Sequence, residues 1–542
     1  MFKKLFKNRY FALVISSFLF ILLQLLTSNL QLYFRDEGFL LNSAMMILHG
    51  MAPYRDFFLT TTPGAFYLQA LLFKIFGQYM ILDRILYVLI ILGIFFLVLK
   101  IFKLKPIPNL IALLLMAFAF AGPNFAFYNI EGLFLFLLSL LELKIWRKSK
   151  KNLFTFFLGL TTFLIFFFKQ SYGLSNFIII LISIIYLAEK KNLIKNLFIY
   201  ILGLCVGFLP YATFLYLTNS LSNFLFYIFY FAKTVKAHRL PFVLTFLLFI
   251  PLYLGILKIS RQMTLKKRVV FLFLFSLFFL TLYLLMSPSR AERLFTILHD
   301  PLIYYYLGLI IFPLTVIFKF FRSKRLSDKE PVVFSLFLLA IFYAGASSGR
   351  DYTTVLMSLP FAIPLFILTF TKIKNKKIGA SLLILVLVCF VIPFVFTNLN
   401  FLFKSNTHNT HLKLDQTKGL SVDKSKAIEL NEVISYIESK TNKNDKILCF
   451  PYCPLIYFLS QRLSASYFSF FYQETFLSSN QQETISDIKK NKTKLIIIQR
   501  KGLIEPEAEF EDKRLAELKT YFVSNFILIK KTENFYFYSP NN

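Results

Sequence analysis

Up to about residue 403 the chain alternates long apolar runs with short bursts of Lys and Arg. A membrane-crossing helix needs roughly 20 apolar residues. Outward crossings are expected to start near residues 11, 107, 153, 197, 269, 332 and 379, and inward ones near 81, 132, 175, 241, 301 and 353. That makes thirteen spans, the first retained rather than cleaved as a signal peptide. Residues 62–77, TPGAFYLQALLFKIFG, would be a fourteenth, but counting them inverts every later loop. They are expected to form a helix lying in the outer interface, with an apolar face on lipid.

The pattern changes near residue 404, where KSNTHNTHLKLDQTKG reads as a polar linker. Beyond it, KAIELNEVISYIESK and DKRLAELKTYFVSNF have helical spacing, while KILCF, KLIIIQR and NFYFYS are strand-like. EPEAEFED reads as a solvated acidic loop. The expected architecture is a polytopic α-helical membrane domain over 1–403, with a first outer loop at 31–80. A soluble α/β domain over 404–542 follows.

Composition agrees. Of 542 residues, 57% are hydrophobic and 71 are Phe, and the mean hydropathy of +0.64 excludes an ordinary soluble protein. In a soluble chain a net charge of +32 would point to nucleic acid. Here the cations cluster in alternate loops, as in KIWRKSKK, EKKNLIK, KISRQMTLKKR, KFFRSKRLSDK and KIKNKK, which is the positive-inside bias of a cytoplasmic-membrane protein. That bias puts the N-terminus in the cytoplasm and the C-terminal domain outside. Cys205 and Cys389 sit in apolar runs as small hydrophobes. Cys449 and Cys453, in CFPYCP, can pair if exported, and without further ligands they do not suggest a metal site.

Charge reappears in FRDEGFLLNSAMMILHGMAPYRDFF, residues 34–58, with Arg35, Asp36, Glu37, His49, Arg55 and Asp56. Isolated polar residues follow at span ends on the same expected face: Glu131, Lys169, and Arg350 with Asp351. Ionisable residues at membrane depth are functional candidates by default. There is no P-loop, dinucleotide-binding glycine pattern, HExxH or paired CxxC, so a nucleotide donor or zinc chemistry has no support.

The succession DEG, HGMAPYRDFF and TPGAFYLQALLFKIFG resembles the first outer loop of GT-C glycosyltransferases of family 39, the group of protein O-mannosyltransferases and lipid A aminoarabinose transferases. FKQSYG, GRDYTTVLMSLP and NDKILCFPYCPLIYFLSQR resemble further segments of that family more weakly. The resemblance implies a GT-C fold and an inverting transfer of sugar from a polyprenyl phosphate to an acceptor at the outer face. It also implies two roles: Asp36 matches the catalytic acidic residue and Glu131 the second, positioning acidic residue. Beside these, Lys169, Arg350 and Arg55 are expected as phosphate partners. Glu37 is the second choice for the base. One departure is Thr61, Thr62, Pro63, Gly64, where many lipid A enzymes carry a Lys before a proline pair; this puts transfer to lipid A in doubt.

The chemistry suits these residues: one carboxylate takes the acceptor's proton, and cations hold a phosphate that leaves as an anion. No cofactor is required, although a divalent metal is not excluded. The expected partners are the polyprenyl-phosphate sugar, membrane lipid and an unidentified acceptor, with no nucleic acid. Each residue also has a structural reading. Asp36 is a natural helix cap, His49 a C-terminal partner for carbonyls, Arg55 and Asp56 a local ion pair, and Lys169 a side chain reaching for the lipid interface. The rival functions are a transporter or flippase, and a non-catalytic envelope assembly protein.

Overall fold

The computed structural model describes residues 9–27, 32–122, 125–230, 309–310, 313–314, 317, 330–346, 352–371, 380–381, 383–384, 409–471, 476–499 and 515–541. The crossings expected from 241 and 269, nearly all of those from 301 and 379, and the candidates Arg350 and Asp351 lie outside the described residues.

The apolar runs fold as helices α1 (Arg9–Thr27), α2 (Asp36–Leu48), α3 (Gly64–Phe76), α4 (Ile81–Phe102), α5 (Pro106–Phe120), α6 (Tyr128–Ser149), α7 (Asn152–Phe168), α8 (Gln170–Leu187) and α9 (Leu193–Leu217). Helices α10 (Glu330–Ala346) and α11 (Tyr352–Phe370) follow. Every expected crossing on described residues coincides with one of these helices. Local chemistry sets their ends. Pro106 opens α5 at a position where no amide hydrogen is needed, and Lys103 and Lys150 close α4 and α6 in the left-handed conformation. Among the described residues, five helices are long and apolar enough to cross a membrane, which makes this a multi-pass membrane protein.

With lipid as solvent, helices associate through close packing and internal polar contacts. Helices α7 and α9 meet at Gly159 and Gly203, where an added Cβ would lie 2.0 Å from the Tyr200 or Phe156 carbonyl oxygen. Beside this contact a buried chain links four helices. Asn176 donates to Ser139 Oγ (2.7 Å), Thr162 Oγ1 donates to Asn176 Oδ1 (2.8 Å), and Tyr200 donates to Thr162 (3.1 Å).

The C-terminal residues form β1 (Asn409–His411) and β2 (Ser421–Asp423), an antiparallel pair, and α12 (Lys424–Lys440). Then come β3 (Ile447–Phe450), α13 (Pro454–Ser460), α14 (Asn480–Lys490), β4 (Leu495–Gln499), α15 (Ala516–Asn525), β5 (Phe526–Lys531) and β6 (Phe535–Pro540). The four-stranded sheet runs β3-β4-β6-β5, with β3 parallel to β4 and the other neighbours antiparallel. Strands β3 and β4 are buried along their whole length, as fits their unbroken apolar runs. Cys449 and Cys453 form a disulfide between β3 and α13.

The first loop and this C-terminal unit share one hydrophobic core. Leu41, Met45, Ala70 and Phe73 cluster with Val433, Ile456, Phe458 and Ile497. Helix α13 lies directly on α2, and a Cβ at Gly38 would stand 2.5 Å from the Leu455 backbone nitrogen. Helix α3, within the segment expected at 62–77, has a buried and an exposed side. Phe66, Gln69, Ala70 and Phe73 are buried, while Leu71, Ile75 and Phe76 are exposed.

Candidate active site

The first turn of α2 carries two adjacent carboxylates on different faces of the helix. Consecutive helical residues diverge by about 100° around the axis, so Asp36 and Glu37 cannot face one point. Glu37 is fully buried. Its Oε1 lies 2.6 Å from Arg84 Nη2, and its Oε2 accepts the Tyr33 amide hydrogen at 2.9 Å. The Gly38 amide donates to the Tyr33 carbonyl at 3.0 Å, so the chain ahead of the helix is folded back onto its first turn. Burial pushes the Glu37 carboxyl above its usual range, and Arg84 opposes that rise.

Arg84 enters from the first turn of α4, and its guanidinium lies 5.9 Å from the ring centres of both Tyr33 and Phe125. The neighbouring Asp83 is fully buried, in the field of Glu37, Arg84 and Glu131. Glu131, in the first turn of α6, is 4% exposed.

Asp36 faces the other way, its side chain 48% exposed. Arg35 grips it with both arms of the fork, Nε to Oδ1 at 3.0 Å and Nη2 to Oδ2 at 3.3 Å. Helix α2 has no side-chain cap, so the capping reading of Asp36 is not realised.

Lys169 sits at the break between α7 and α8 and is 3% exposed. Its ammonium donates to Asn129 Oδ1 and lies 4.4 Å from the Tyr128 ring centre and 5.3 Å from that of Tyr172. It is held inside the protein rather than reaching for lipid. The next residue, Gln170, clamps the Thr60–Thr62 loop, donating to the Thr60 carbonyl (3.1 Å) and accepting from the Thr62 amide (3.4 Å). Rings continue the connection, Tyr33 to Phe125 (5.3 Å), Phe125 to Phe127 (5.7 Å) and Phe127 to Tyr128 (3.9 Å). Segments distant in sequence therefore converge around Tyr33, Phe125 and Tyr128.

Arg55 is bound to Asp56 at 2.6 Å, and Asp56 also accepts the Ala52 amide hydrogen at 2.7 Å. That is the local pair its sequence allowed. His49 Nδ1 lies 2.9 Å from the Met45 carbonyl, at the end of α2. The C-terminal unit reaches the same region through Phe470, 5.5 Å from Phe39 and 5.9 Å from Tyr452.

Arg84 and Asp83 were missed by the sequence reading, although the signal was present as LDR inside an apolar run, where a charged pair needs a reason. Arg35 was noted as a charge and given no role.

These helices and their arrangement define a multi-pass membrane protein whose fold is that of a solved bacterial membrane protein, ArnT. The crystal structure of ArnT from Cupriavidus metallidurans bound to undecaprenyl phosphate is similar over 97% of this chain and 97% of that chain, with a TM-score of 0.54 and 9% sequence identity. At that identity the likeness shows the fold. Residues 427–532 match the family model Ccs4_C, the C-terminal domain of proteins described as competence-induced and named Ccs4. No curated protein matches the chain.

Proposed function

We propose that this protein is an inverting glycosyltransferase that moves a sugar from a polyprenyl-phosphate donor to an envelope acceptor at the outer face of the cytoplasmic membrane. The observation that carries the reading is the division of the DE pair. Glu37 is locked inward by Arg84, while Asp36 stands half-exposed at the same turn, leaving one carboxylate to meet an acceptor hydroxyl. The ArnT-like fold supports it, and the neighbour's bound undecaprenyl phosphate suggests the class of donor.

Asp36 takes the proton of the acceptor hydroxyl as its oxygen bonds to the anomeric carbon. The bond from that carbon to the phosphate oxygen breaks, and polyprenyl phosphate leaves with the electron pair. An anionic leaving group needs no protonating acid, in contrast to the two carboxyls of glycoside hydrolysis. Cations stabilise it, with Lys169, Arg350 and Arg55 as the proposed partners. Of these, Lys169 has the preorganised setting, whereas Arg55 must leave Asp56. Glu131 positions the site. The topology that goes with this reading has thirteen spans, a cytoplasmic N-terminus and an extracytoplasmic domain from residue 404.

The test is transfer from a polyprenyl-phosphate sugar by purified Asp36→Asn and Glu131→Gln proteins. Loss of about 10²–10⁴-fold is expected for Asp36→Asn. Wild-type rates in both variants would refute the mechanism, and labelling of residue 36 from the cytoplasm would refute the topology.

A further inference from the structure

Two Arg–carboxylate pairs lie side by side at the start of α2, and they differ in kind. Glu37–Arg84 is buried, so parting it would strand a charge in a dry interior. Arg35–Asp36 joins side chains that are 30% and 48% exposed. An exposed pair contributes little net stability, because water and salt replace what each partner gives the other. The second pair is therefore cheap to part, and it occupies the one carboxylate assigned as base.

We propose that Arg35 is a latch displaced by substrate: its guanidinium holds Asp36 until an anionic phosphate of the lipid donor takes it over. This rests on the reading of Asp36 as the base. A guanidinium fork fits the paired oxygens of a phosphate as well as those of a carboxylate. While both arms of Arg35 are on Asp36, each carboxylate oxygen accepts a hydrogen bond from the guanidinium, which stands between the carboxylate and an acceptor hydroxyl. When a phosphate captures the fork, Asp36 becomes available, and the same cation then faces the leaving group. No group is transferred in the exchange; one charge-assisted pair replaces another. Base activation is thereby tied to donor occupancy, and an acceptor arriving first meets a neutralised carboxylate.

The exchange makes Asp36 and the phosphate competitors for one cation, so removing Asp36 should strengthen phosphate binding. The probe is undecaprenyl phosphate titrated into full-length protein in nanodiscs, with undecaprenol as the control for the tail alone. Arg35→Gln is expected to bind undecaprenyl phosphate about tenfold more weakly, and Asp36→Asn several-fold more tightly, than wild type. The double variant should bind no more tightly than Arg35→Gln, and Arg35→Lys should recover part of the loss. None of these changes should appear with undecaprenol. Unchanged binding in Asp36→Asn, or equal gains in Asp36→Asn with and without Arg35, would overturn the latch. The outcomes are separable from those for the base: transfer by Asp36→Asn at the wild-type rate refutes the base, whereas the binding titration reads the exchange without any transfer.

Discussion

Arg84 Nη2 lies 2.6 Å from Glu37 Oε1, and neither side chain is more than 2% exposed. This contact ties the first turn of α2 to the first turn of α4, and it fixes which carboxylate of the DE pair faces outward. Removing one partner of such a pair costs about 3–5 kcal/mol, since the other charge is left buried. Glu37→Gln or Arg84→Gln alone should lower the thermal midpoint of the purified protein markedly. Joint replacement by Glu37→Leu and Arg84→Met should restore much of it. A double-mutant cycle on that midpoint checks the coupling, and additive effects would refute it.

Gly38 is the point where α13 crosses α2, and a methyl group there would meet the Leu455 backbone rather than a flexible side chain. Gly38→Ala should therefore destabilise by about 1–3 kcal/mol through overpacking. Because residue 38 is two positions from Asp36, transfer should fall as well. Measuring turnover well below the melting range separates the two effects.

Lys169 is enclosed by Asn129, Tyr128 and Tyr172. Lys169→Met should lower turnover of a polyprenyl-phosphate sugar by about 10²-fold, in line with loss of one preorganised charge from a site that stabilises an anion. Lys169→Arg should rescue poorly, because the wider, planar group does not fit a cage built for an ammonium. Full activity in Lys169→Met would assign the lysine to packing alone.

Asp56 gives a pH dependence with a definite sign. The Arg55 hydrogen bond holds its carboxyl below the usual range of 3.8. A depressed carboxylate stabilises the fold above its unfolded-state value, and the contribution disappears as pH falls through the folded-state value. The pair is largely exposed, so the effect is small. Melting curves of wild type and Asp56→Asn should differ slightly near neutrality and converge as pH falls below 3.8 and through the folded-state value.

Much of the helical scaffold was legible in the chain, because burial in lipid leaves a long apolar run few options other than a helix. α4, α5 and α7 begin within one residue of the expected crossings near 81, 107 and 153. The change to an α/β unit after residue 404 was legible for the same kind of reason, since periodicity reports local geometry. Strand β5 escaped notice because it is an exposed edge, without the alternation that marks a half-buried strand.

The sequence by itself determined which residue types the first loop offers, including the adjacent Asp36 and Glu37, and it marked a helix within 62–77. Only the tertiary structure decided their division. Glu37 turns inward because Arg84, 47 positions away, waits in the bundle, and Asp36 is left outside with Arg35. It also decided that Lys169 belongs to Asn129 and the tyrosines, and that the first loop shares its core with residues beyond 409. Periodicity encodes what a residue does within its own element. Partners brought together by packing leave no periodic trace, so a buried charge could be flagged in the sequence, but its counter-charge could not be named.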